Sequence, residues 1–173
     1  MITRLKYLII ILLFYFFALL QNSFFPHFDL FGATPNLIFI MFFALLFFSA
    51  RGEPALGWKN IFYAVSAGLF LDIFSYRYLG ASALLLLFIG FFVKKAQGQL
   101  QEKKNNSFPF IYFLPLFLFA FLAYDLLLKF SPNLKGFAAE IVYNLFIASV
   151  GFYVCKKFLK FGIDNPQLNL FNK

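Results

Sequence analysis

Six nearly uninterrupted apolar stretches, parted by short polar segments, make up most of the chain. They run over roughly 7–25, 35–50, 60–75, 78–95, 109–130 and 137–157, each close to the ~17–25 residues that cross a bilayer as a helix. The second and third are short, so their ends must lean on interfacial residues or on thinned lipid. The third and fourth cannot be one helix, because residues 60 to 95 would extend beyond about 50 Å at ~1.5 Å per residue. Ser75, Tyr76, Arg77 and Tyr78, followed by Gly80, supply a tight turn between them. Pro35 suits the first turn of the second helix, where its missing N–H costs nothing. The polar segment from Gln97 to Ser107 shows no helical period and reads as a loop, and the polar end after residue 161 reads as a tail. The pattern predicts an all-α integral membrane protein: one six-helix bundle over 1–161 and a cytoplasmic tail over 162–173.

Charge gives the bundle its orientation. Arg77, Lys129 and Lys135 are the only cations expected on one side, leaving twelve of the fifteen Lys and Arg on the other. Cytoplasmic loops carry the excess of positive charge, so both termini are expected in the cytoplasm and Trp58 at the cytoplasmic interface. Composition agrees: 62% of the 173 residues are hydrophobic, 13% charged, and mean hydropathy is +0.82. A soluble domain carries nearer a quarter charged residues. The net charge of +8 reads as topology signal and attraction to anionic lipid, since no basic run is long enough for a nucleic-acid arm. One cysteine (Cys155) and one histidine (His27) leave no intrachain disulfide, Cys-cluster metal site or His pair. No cofactor is expected.

Three acids interrupt the apolar runs: Asp72, Asp125 and Glu140. All three are expected within about one and a half turns of the non-cytoplasmic face. A carboxylate among acyl chains costs on the order of 3 kcal/mol, so it should face protein. Asp125 and Lys129 stand at i, i+4, and Arg77 is placed to fold back on Asp72. With Asn144 on the face of Glu140, these six residues are the candidate polar cluster. It either binds something from outside or pairs internally and sets helix register, the simpler reading. The surroundings of Asp72 do not match those of an intramembrane aspartyl protease, and no serine has a histidine partner, so the chain is expected to be non-enzymatic.

Small residues at helical spacing mark close helix contacts in lipid. Ala64 and Gly68 lead to Asp72; Ala148 and Gly151 follow Asn144; Gly80 and Ala83 open the fourth helix. These rows predict mutual contact of the third, fourth and sixth helices. The first helix has Ala18 alone and should face lipid or a large apolar partner.

Several motifs resemble the rod shape-determining protein MreD family: Gln21-Asn22-Ser23-Phe24-Phe25-Pro26, Pro35-Asn36-Leu37, Arg51-Gly52, Gly57, Gly68-Leu69-Phe70-Leu71-Asp72-Ile73-Phe74 and Leu79-Gly80-Ala81-Ser82-Ala83-Leu84. Tyr76-Arg77-Tyr78 departs from the small Ser-Gly turn usual there. The resemblance implies a non-catalytic, multi-pass scaffold of the bacterial cytoplasmic (inner) membrane that serves cell elongation and peptidoglycan synthesis. Its implied partner is an MreC-like single-span protein, and through it an MreB-like filament and peptidoglycan synthases. It also implies the six-helix layout of energy-coupling-factor S components. A substrate-binding S component of a vitamin transporter is the alternative, although the first helix lacks the Ala-x-x-x-Ala face such proteins use for coupling. A membrane scaffold with unrelated partners is a third possibility.

Overall fold

The structure, a computed structural model, describes residues 2–29, 32–49, 57–75, 78–102, 110–128 and 134–163. Among them the chain is helical, with six α-helices and no strand. They are α1 (Ile2–Leu19), α2 (Leu37–Phe48), α3 (Trp58–Phe74), α4 (Ala81–Glu102), α5 (Phe110–Leu128) and α6 (Leu134–Ile163). After Leu19 the chain widens into a π-helical turn, Leu20–Phe24, and tightens into a 3-10 turn, Phe25–Phe28. By length and composition three helical segments can cross a membrane, Leu5–Phe28, Ala81–Gln99 and Lys135–Val154.

The shortest helix is at the centre. α2 has 12 residues, about 18 Å at ~1.5 Å each, too little for a bilayer core of ~30 Å. Eight of those residues are buried, which a uniformly apolar sequence permits. The other helices surround it in the order α1, α3, α4, α5, α6, neighbours packing on each other and all five on α2. Aromatic contacts give the directions. Phe39 meets Tyr124 and Phe121, Phe43 meets Phe117 and Phe113, and Phe47 meets Phe113, so α2 and α5 are antiparallel. Tyr7 meets Phe62 and Phe14 meets Phe70, so α1 and α3 run parallel. We call the end where α3 turns into α4 the turn end, and the end where α3 begins the terminal end.

Several expectations change. Gln97 lies in a helix that continues to Glu102, not in a loop. It extends the buried row Leu86, Ile89, Val93 at helical spacing, so the face decides its place and not its polarity. Pro35 precedes the N-cap, Asn36, and stands outside α2. α6 packs against α2 and α5, and α2 stands between it and the α3–α4 pair, so the expected contact of the third, fourth and sixth helices is replaced by packing on a common centre. α6 is also longer than its apolar run, at 30 residues.

α3 and α4 pack backbone against backbone at Gly68 and Ala83. A Cβ on Gly68 would collide with the Ala83 backbone, so only glycine lets these backbones meet. Gly80 serves differently. Its φ of +97° is the left-handed conformation that opens the turn into α4, and a Cβ there would meet nothing within 4 Å. Gly151 likewise has open space where a Cβ would stand. Ala64 and Ala148 are both buried.

Candidate functional site

Three of the buried polar side chains, Asp72, Asn36 and Asn144, reach backbone groups at the ends of helices. Asp72 is 1% exposed; its Oδ2 accepts from the Gly80 N–H at 2.7 Å and its Oδ1 from the Ser82 N–H at 3.0 Å. Those donors lie at the start of α4, whose first N–H groups have no partner within the helix and carry its positive dipole end. The carboxylate therefore caps the next helix of its own hairpin. Asn36 does the same for α2, its Oδ1 accepting from Phe39 N at 3.0 Å. Asn144 is fully buried; its Oδ1 accepts from Asn36 N at 2.7 Å and its Nδ2 donates to the Glu140 carbonyl at 2.8 Å. This links α6 to the first turn of α2.

Helix register brings these groups to one level. Tyr124, 5.1 Å from Phe39, places neighbouring Asp125 beside the first turn of α2. Asp125 is 2% exposed. Gly90 of α4 lies against Phe42 and Leu46, so two turns back Ser82, with Asp72, comes level with Asn36. Glu140, half-buried, sits one turn nearer the end of the bundle. Lys135 is exposed, and Arg77 and Lys129 lie outside the described residues, with the ion pairs expected of them.

Sequence reading overlooked a second polar set, at the terminal end of α2. Ser49 Oγ donates to Leu46 O at 2.9 Å and lies 3.3 Å from Asn60 Oδ1, while Gln97 Nε2 reaches Phe47 O at 3.5 Å. Asn60 and Gln97 are both buried. The carbonyls of Leu46 and Phe47 belong to the last turn, whose acceptors have no donor partner within the helix. A short helix inside an apolar bundle needs protein partners at both ends, and side chains meet backbone groups at each end of α2. Asn36, directly before an apolar run, carries the N-cap signal that could have found one of them.

Among the described residues one side of the bundle is left open. α1 and α6 flank α2 without the neighbour packing seen elsewhere around the ring. The sides of α2 bearing Phe39, Phe43 and Phe47 face α5, and those bearing Phe42 and Leu46 face α4. The half-buried row Met41, Ala44, Leu45 and Phe48, at i, i+3, i+4, i+7, is left toward the opening. Phe48 also stacks on Phe152 of α6, at 5.4 Å between ring centres. Helical spacing puts Ile147 and Gly151 of α6 on the same side as Tyr143, which meets Phe25 of the segment after α1. The result is an apolar groove floored by α2 and walled by α1 and α6. Among the described residues no three of His, Cys, Asp and Glu gather to hold a metal ion.

The chain matches the family model for rod shape-determining protein MreD over residues 1–169. It belongs to that family. No curated protein and no solved structure matches it. Family membership makes this a membrane protein of rod-shape determination.

Proposed function

We propose that the protein is a non-catalytic scaffold of the bacterial cell-elongation complex and that its groove receives the membrane span of an MreC-like partner. The supporting observation is the gap that the described residues leave in the ring between α1 and α6, where five helices leave room beside α2 for one more. The groove has the traits of a helix seat: a small residue in its floor, Ala44, and an open position in its wall, Gly151. The other small faces are spent internally, Gly68 on Ala83 above all. On this reading all six helices cross or enter the inner membrane, with both termini cytoplasmic by the twelve-to-three split of Lys and Arg. The turn end is then the periplasmic end. MreB-like filaments and peptidoglycan synthases are reached through the partner.

The caps also favour a scaffold over a transporter subunit. A substrate site needs polar groups turned to a ligand, whereas both oxygens of Asp72 are committed to α4.

The test is Gly151→Leu, which places a side chain in open space and should leave the fold intact. Co-purification of the partner from membranes should fall at least tenfold, and cells relying on the variant should lose rod shape. Undiminished partner capture by a folded Gly151→Leu variant would overturn the groove as the seat.

A further inference from the structure

We propose that the terminal end of α1, α3 and α4 forms a binding site for the headgroup of an anionic phospholipid. Three helices bring lysines to one level there. The 4.7 Å contact of Tyr7 with Phe62 sets Lys6 of α1 within about a turn of Lys59, on α3. Counting equal numbers of residues away from the Gly68–Ala83 contact brings Lys59 level with Phe92 of α4, within a turn of Lys94 and Lys95. Lys6, Lys59 and Lys95 are exposed and Lys94 is half-buried.

The aromatic setting points to lipid and not to a soluble anion. Trp58 is 76% exposed at the start of α3, and Phe92 is exposed on α4. An indole prefers the depth of the glycerol and carbonyl groups, and lysine stems run along apolar surface to put their ammonium groups at the phosphate. A ligand with a phosphate above and acyl chains beside Trp58 and Phe92 satisfies both; free phosphate satisfies only the first. Basic clusters between membrane helices at such a level are suited to anionic headgroups.

Trp58 is the only tryptophan, so the site reports on itself. The full chain in vesicles containing phosphatidylcholine brominated on its acyl chains is compared with vesicles containing phosphatidylglycerol brominated in the same way. At equal mole fraction the anionic lipid should quench Trp58 more strongly, with a preference of roughly tenfold or more. The triple variant Lys6→Gln, Lys59→Gln, Lys95→Gln should lose this preference, while Lys156→Gln, Lys157→Gln, Lys160→Gln, with the same loss of charge, should keep it. Equal quenching by both lipids in the unaltered protein overturns the proposal, whether or not the variants fold. Equal loss in both triple variants also overturns it, because diffuse charge would then suffice. The inference rests on membrane embedding alone, so its failure leaves the partner seat untouched, and loss of partner capture leaves the lipid preference in place.

Discussion

α1 and α2 are both almost purely apolar, yet one lines the outside of the molecule and the other forms its centre. Most large residues of α1 are exposed, among them Leu5, Leu8, Leu12 and Phe16, and among its described side chains only Phe14 and Ala18 are fully buried. α2 buries residues on every side except its groove row. Hydrophobicity does not separate them, since lipid and protein interior are equally apolar solvents for a side chain. Their ends do. α1 belongs to a segment of 24 residues long enough to reach both interfaces. α2 is half that length, and side chains from α3, α4 and α6 gather at its ends, where Asn36, Ser49, Gln97 and Asn144 meet its backbone. Backbone satisfaction, more than burial of apolar area, decides which helix is the core of this bundle.

Substitutions at pinned positions should therefore be costly and those on α1 nearly silent. The largest effect is expected from Gly68→Leu, which forces α3 and α4 apart where a Cβ alone would collide with Ala83 backbone. Overpacking of this kind costs about 3 kcal/mol or more, enough that little folded protein should survive detergent extraction. Asp72→Ala should come next, at about 2–3 kcal/mol in an unfolding titration, because the Gly80 and Ser82 N–H groups lose a charged acceptor. Asp72→Asn should recover part of that loss through its remaining carbonyl oxygen. Asn144→Leu should cost about 1–2 kcal/mol by leaving Asn36 N unsatisfied beside α2. Leu12→Ala on α1 should change stability by less than about 0.5 kcal/mol, as expected of a site outside the packed interior. A loss at Leu12 comparable to that at Asn144 would erase the contrast between the two helices.

The candidate cluster was legible in part. Asp72 stood out because a carboxylate in an apolar run needs a partner, but its nearest cation in sequence drew attention away from the backbone at the start of α4. That pairing crosses the turn between two helices to backbone N–H groups at Gly80 and Ser82, and nothing in residue type announces it. Asn144 is visible as a polar residue on a small face, while its target is the backbone N–H of Asn36, a group that side-chain pattern does not mark. The polarity of Gln97 points to a loop, whereas its register with Val93 places it on the buried face of α4. Glycines showed the same limit. Gly68, Gly80 and Gly151 looked alike as small residues, and the fold gives them three uses: a backbone contact, a left-handed turn and an open wall.

Sequence alone determined the helical class, the apolar stretches, the charge asymmetry and the family, because these follow from composition and local order. Tertiary structure decided which helix became the centre, where each carboxylate ended and where the ring stayed open. Those outcomes depend on backbone groups that every residue carries, so which of them is left for a distant side chain to satisfy becomes visible only when the helices are packed.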